Sequence, residues 1–404
     1  MSVNHKSSAI LILAVCLILT IILCLSYIPM WKYDLIVPGP GVTRVAWLSD
    51  YVPELKGSLA DTRVFILEGQ EPGANILVLS GHHADEPGGW MSGMVLVEKA
   101  QVKTGKLVVI PQANNSGFTH NYPQEAHAQF ISIPRPDGTS RRYRHGSRTG
   151  NSAEHWPDPE VFIQYPSGQK LSGDEVRNLN RAYPGRLNGT FTERIAYGIQ
   201  MVVRNEQIDL QMDMHEAQPE YPFVNAVSAH PAAEELASLA SLGMQTHDLD
   251  LGVELSPATF RGLSNREMGD AVSGLMAVTM ETANTEQGKI RGITDDLLAV
   301  QGQDAFYVAA AKLGNLFVPY DEGGWPLKRR VGRHLTAFKE LALALQDLSG
   351  KPFDIANVPD YYELVANDVG YYLNPINEKV SDPGYQSYPG IWRLFSKTSS
   401  QDRS

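Results

Sequence analysis

Residues 76–90 read ILVLSGHHADEPGGW, an apolar run that stops at a glycine and releases two histidines and two acids before Pro87 and two more glycines. A short aliphatic run bounded by Gly and Pro is the pattern of a buried strand. Gly81 ends it, and "PGGW" lets the chain turn into the next helix. The stretch therefore predicts a strand, a turn carrying His82, His83, Asp85 and Glu86, and a helix. His83 and Glu86 are three apart, so a turn brings both side chains to one side, where they could share a metal ion. Such a pair alone is ordinary loop chemistry roughly three times in four. The rest of the chain has to supply a third ligand.

The same organisation recurs along the sequence. Strand-like segments occupy 63–69, 75–81, 106–112, 208–217, 224–230 and 275–284, with helical periodicity at 89–103, 190–205 and 231–243. Strands alternating with helices predict an α/β protein whose open sheet is covered on both faces. In such sheets ligands bind beyond the carboxyl ends of the strands. His215 closes the apolar segment IDLQMDMHEA, 129 positions after Glu86 (215 minus 86). Asp213 lies on the same side of that strand, where a carboxylate can orient the imidazole. Glu281 ends a further strand in AVTMETAN. Two histidines and a glutamate are a common protein ligand set of catalytic zinc, which keeps a fourth position for water.

These residues carry a resemblance. HADE at 83–86, DMHEA around His215, TMETAN around Glu281 and NLNRAYPG at 178–185 resemble, in order, the zinc carboxypeptidase superfamily, and most of all its succinylglutamate desuccinylase/aspartoacylase branch. The resemblance spans roughly residues 60–290. It implies a mixed eight-stranded open sheet flanked by helices. It also implies one zinc ion held by His83, Glu86 and His215, Glu281 as general base, and Asn180 with Arg181 binding a substrate carboxylate. The family often has Asp where this chain has Asn178, whose amide oxygen can still accept the imidazole N–H. Arg148 is the candidate for stabilising the oxyanion. The expected substrate is an acyl-amino acid or peptide with a free carboxylate, and the expected reaction is hydrolysis of its amide. The alternatives are a metallocarboxypeptidase acting on peptides or cell-wall peptides and, in another class, a non-catalytic envelope-binding protein.

Composition narrows the setting. With 404 residues and a net charge of −11, the chain lacks the basic excess that attracts nucleic acid. RRYRHGSR at 141–148 is the local exception, expected as a solvated loop, with the holding of an anionic substrate as its functional alternative. Residues 9–28 carry no charge, enough for a helix of roughly 30 Å across a bilayer. Lys6 precedes the run, and Trp31 and Tyr33 follow it at interfacial positions, predicting a cytoplasmic N-terminus and an exterior or periplasmic domain. A cleaved secretion signal is the competing reading. Both cysteines, Cys16 and Cys24, fall inside this run, so the domain after it has neither a disulfide nor a catalytic thiol.

The expected organisation is a cytoplasmic tail at 1–8, an anchor at 9–28, a Pro/Gly-punctuated stalk at 29–58, a catalytic domain at 59–320, and a C-terminal helix and tail at 321–404. His82 is expected to be a bystander, Asp85 a loop-stabilising acid, and Asn114 and Asn115 turn residues. His230, His247 and His334 have no ligand-like spacing and are read as structural. HExxH, G-x-S-x-G and phosphate-binding glycine loops are absent from the sequence.

Overall fold

The computed structural model describes residues 5–121, 128–295 and 297–376. In chain order the strands are β1 Arg44–Trp47, β2 Arg63–Glu68, β3 Glu71–Ser80, β4 Gln101–Ile110, β5 Phe130–Pro134, β6 Ser140–Arg144 and β7 Val161–Ile163. They continue with β8 Lys170–Ser172, β9 Leu210–Ala217, β10 Ala226–Ala229, β11 Gly252–Leu255, β12 Met276–Ala283 and β13 Asp354–Ala356. The helices are α1 His5–Tyr27, α2 Leu48–Tyr51, α3 Pro87–Lys99, α4 Ser152–His155 and α5 Phe191–Asn205. Then come α6 Glu234–Gln245, α7 Ser264–Ala271, α8 Ala305–Lys312, α9 Leu327–Ser349 and α10 Tyr361–Asn367.

Nine strands form one mixed sheet in the order β1-β2-β4-β3-β9-β12-β10-β11, with β13 pairing to β4 beside that path. The centre is parallel: β4, β3, β9 and β12 pair in parallel, while β10 is antiparallel to β12. The eight strands implied by the resemblance are thus exceeded by one. β1, β11 and β13 are three or four residues long, too short to show an alternating pattern in sequence.

Both faces of the sheet are covered, which is why β3 ends in the unbroken apolar run Ile76–Leu79, while β9 buries Gln211, Asp213 and His215 among its apolar residues. Ile76 and Val78 face the core shared with α3, α6 and α9, whereas Leu77 and Leu79 face α2 and α5. A fully buried Ile, Leu or Val of this kind contributes about 2 kcal/mol. On α5, Ile195, Ile199, Val202 and Val203 make the buried stripe, and Thr190 with Glu193 closes its N-terminus as a capping box.

Residues 29–58 are not a free stalk. Met30, Ile36, Leu48, Val52 and Leu55 are buried, and β1 pairs antiparallel to β2. Arg44 and Tyr51 reach Glu206 at 2.7 and 2.6 Å, tying this segment to the end of α5. Nor does the domain stop at 320: α9 packs Val331, Leu335, Phe338 and Leu341 into the core, and β13 extends the sheet. The tail from 377 onward and residues 1–4 lie outside the described residues. The long loop region after Ala113 contains two hairpins, β5-β6 and β7-β8.

The expected solvated basic loop is a correction too. Arg141 and Arg144 are buried on β6, the first 3.0 Å from Glu98 and the second 3.0 Å from Asp34. Helix α1 has no buried residue, and the stretch His5–Trp31 is long and apolar enough to cross a membrane, a property shared by anchors and signal sequences.

Candidate active site

β3, β9 and β12 lie side by side, so their carboxyl ends open on one place. Glu281 on β12 is in register with His215 on β9. β3 is followed by Gly81, whose φ of +66° suits glycine; a Cβ there would meet the Pro111 carbonyl oxygen at 2.7 Å. The turn carries His83 and Glu86 to the head of α3. Gly88 and Gly89 let that helix approach β9: a Cβ on Gly88 would lie 2.3 Å from Glu216 Oε1, and one on Gly89 2.4 Å from the Met214 carbonyl oxygen.

His83 Nδ1 lies 2.6 Å from Glu86 Oε1, and His215 Nδ1 lies 2.8 Å from Glu86 Oε2, with all three side chains buried. The outer nitrogens are held from behind. His83 Nε2 is 3.1 Å from Asn178 Oδ1, and His215 Nε2 is 2.9 Å from Asp213 Oδ2. Asn178 is fixed in orientation, because its Nδ2 donates to Glu175 and its Oδ1 accepts from the Asn180 N–H. His83 must therefore donate from Nε2, which leaves the Nδ1 lone pair facing a carboxylate oxygen.

That contact asks for a cation. Burial, then the nearby Arg148 charge, hold the His83 pKa down to about 3, so a proton on Nδ1 is disfavoured. Burial opposes charge on His215 as well, but Asp213 and Glu86 overcome it and push its pKa well above the usual range. Glu86, despite its burial, is held well below the ordinary carboxylate range by His83 and His215. Three ligand atoms from His83, Glu86 and His215 lie within 4.8 Å of one another. Two imidazole nitrogens and a carboxylate are a donor set that a zinc ion takes, and Asn178 and Asp213 hold the two rings with Nδ1 toward Glu86.

His83 and Glu86 of this cluster line a cavity of about 370 Å³, together with Arg148, Asn180, Arg181 and Glu281. Glu281 stands in the cavity wall, and its Oε2 has no hydrogen-bond partner among the described residues. Burial raises its carboxyl to about 8, against the opposing pull of His215. Arg148 is the more open group, with Nη1 3.4 Å from His83 Nδ1 and 3.8 Å from Glu86 Oε1. Arg181 lies over the Phe260 ring at 4.5 Å, and Asn180 Oδ1 accepts from the Ser264 N–H.

Several neighbours surround this cluster, and of these Ser264, Glu216, Gln287 and Arg330 were not singled out by the sequence. His82 is fully buried, bonded to the Tyr183 hydroxyl, and its Nδ1 sits 2.9 Å from Asp213 Oδ1 without the alignment of a hydrogen bond. Ser264 also donates to Asp213. The bystander reading of His82 is thus corrected: it packs against the acid that orients His215. Glu216 accepts from the Gly88 N–H at 2.8 Å and from Asn284, and pairs with Arg330 on α9. Gln287 donates to Glu86 Oε1 at 2.7 Å. Asn114 and Asn115 are buried and bond the carbonyls of His82 and Leu59. His334, behind the site, contacts Thr282, while His230 and His247 pair with Asp270 and Glu340.

No protein-family model matches the chain, and no curated protein does. Among solved structures it is similar to a succinylglutamate desuccinylase from Silicibacter sp. TM1040, at 20% identity and a TM-score of 0.35, covering 57% of this chain and 55% of that one. An aspartoacylase family protein from Mesorhizobium loti is similar at 17% identity and a TM-score of 0.32, over 55% and 56% of the two chains. The cell shape determinant protein Csd4 from Helicobacter pylori, in its apo form, is similar at 13% identity and a TM-score of 0.42, over 76% and 59%. The chain spans less than two thirds of each of these proteins.

Proposed function

We propose that this chain is a zinc-dependent amide hydrolase acting on a carboxylate-bearing substrate, in the manner of a deacylase of the succinylglutamate desuccinylase/aspartoacylase type. One observation carries the reading: the buried convergence of His83, Glu86 and His215, with Glu281, whose Oε2 has no partner among the described residues, in the cavity that His83 and Glu86 line. His83 and His215 would hold the ion through Nδ1, and Glu86 through its carboxylate. When bound there, zinc supplies the Lewis acidity that makes water a nucleophile near neutral pH.

The remaining roles fall to the chain itself. Glu281 takes a proton from the attacking water and returns it to the leaving amine, a role for which a carboxyl raised toward neutrality is suited. Arg148, partly exposed at the rim, presents its guanidinium to the oxyanion. Arg181 and Asn180 hold the substrate carboxylate, Arg181 through its planar fork. Asp213 and Asn178 keep the two imidazoles in place.

The exposed apolar helix α1 favours placing the domain at a membrane, on its outer side, and gives peptides of the cell envelope a claim beside N-acyl amino acids. The test is to purify the full chain in detergent, measure bound zinc, and assay N-acyl amino acids beside peptides with a free C-terminus. Near-stoichiometric zinc and a Glu281→Gln variant that keeps the metal but loses turnover by about 10²–10⁴ are expected. A zinc-free protein, or undiminished turnover by that variant, refutes the mechanism.

A further inference from the structure

The cavity has a second polar region, on the strands β12, β10 and β11. Thr279, Ser228 and Glu254 lie in register on adjacent strands β12, β10 and β11, and all three line the cavity. Thr279 is only 6% exposed, yet its Oγ1 has no partner among the described residues. Ser228 Oγ accepts one hydrogen bond, from Asn265 Nδ2 at 3.1 Å, and keeps a lone pair. Glu254, exposed on β11 at the end of the sheet order, makes no ion pair or hydrogen bond among the described residues and so leaves its carboxylate open to a ligand in the cavity it lines. At the usual strand spacing the three residues span about 10 Å of sheet.

From this placement we infer that the cavity contains an ammonium subsite, and that the substrate's amine half is an amino acid bearing a second, cationic amine on its side chain. The inference rests on the amide-hydrolase reading and names its substrate class. An alkylammonium has three N–H donors and no acceptor. Thr279 Oγ1, Ser228 Oγ and the Glu254 carboxylate offer three acceptors, one of them charged. The carboxylate-binding wall is continuous with them: Asn180 accepts from Ser264, and the next residue, Asn265, bonds Ser228. One substrate half therefore meets cationic Arg181 at one end and anionic Glu254 at the other. A side chain ending in carboxylate would face Glu254 directly and is disfavoured.

The test uses the full, zinc-loaded chain in detergent, with Nα-acetyl-L-lysine and Nα-acetyl-L-norleucine, which differ in the terminal amine. A preference for the lysine compound of about tenfold in kcat/KM is expected, the worth of one charge-assisted contact. Glu254→Gln should abolish most of that preference and Glu254→Lys should reverse it, with Thr279→Val having the smaller effect. A second arm measures binding of free L-lysine against L-norleucine by calorimetry. If neither amide is hydrolysed but lysine binds more tightly in a Glu254-dependent way, the hydrolase reading fails and the subsite stands. Equal handling of the two compounds in both arms, or a preference that Glu254→Gln leaves unmoved, overturns the subsite.

Discussion

Arg330, on α9, places its guanidinium 3.2 Å from Glu216 Oε1, and both side chains are buried. Glu216 in turn accepts from the Gly88 N–H, while its own backbone N–H donates to Glu86 Oε2 at 3.1 Å. The pair thus clamps the head of α3 against β9. It couples the last long helix to the cluster of proposed metal ligands.

Removing one partner of this pair should be costly. Arg330→Met strands the Glu216 carboxylate, and breaking a buried pair in this way costs about 3–5 kcal/mol. Burial already raises the Glu216 carboxyl to about 7 despite Arg330, so proton uptake can relieve part of the loss and the lower end is expected. Urea unfolding of the variant beside wild type measures it. A loss below about 1 kcal/mol would show that the pair does not clamp the fold.

Metal removal should destabilise the protein through the same cluster. A ligand that binds only the folded state stabilises it by about 2.7 kcal/mol at a hundredfold excess over its Kd. Chelation should therefore lower the Tm of wild type, and His83→Ala and His215→Ala should abolish the response to zinc. Persistence of the full zinc-induced rise in His215→Ala would exclude it as a ligand.

Glu206 supplies a pH test of the attachment of residues 29–58. Burial raises its pKa, but hydrogen bonds from Tyr51, Arg44 and Lys106 outweigh this and lower it from 4.5 to about 2. A depressed carboxylate stabilises the fold above its unfolded pKa and loses that contribution as pH falls through the folded one. The stability difference between wild type and Glu206→Gln should therefore be level above about pH 5.5 and shrink between about pH 4.5 and 2. Denaturant unfolding across that range checks it. A difference that grows on acidification would reverse the sign.

The central strands and the four residues of the candidate site were legible because each chemical group sits at or just beyond the carboxyl end of a strand. His83, Glu86, His215 and Glu281 are local events at strand ends. Glu216 and Arg330 are 114 residues apart, and nothing near either one announces the other. Arg141 and Arg144 read as solvated because a basic run usually is; Glu98 and Asp34, which bury them, are equally remote in sequence. Residues 29–58 read as a stalk because prolines and glycines mark linkers as well as the irregular edge of a domain. Only packing distinguishes the two, as Ile36 and Leu48 show.

Asn178 poses the last test. Asp there would give His83 Nε2 a charged acceptor, and changing a metal ligand's hydrogen-bond partner typically alters metal affinity by about 10–100-fold. The structure sets a condition: Asn178 Nδ2 donates to Glu175 Oε2 at 2.6 Å. Asn178→Asp alone puts two carboxylates into that contact, so one of them must take up a proton or move away. Zinc affinity should consequently fail to rise in the single variant. Asn178→Asp combined with Glu175→Gln restores a donor to the pair and should bind zinc about tenfold more tightly than wild type. Competition against a chelator of known affinity measures both. Tighter binding in the single variant, or none in the double, would mean that Glu175 does not govern the choice of amide at position 178.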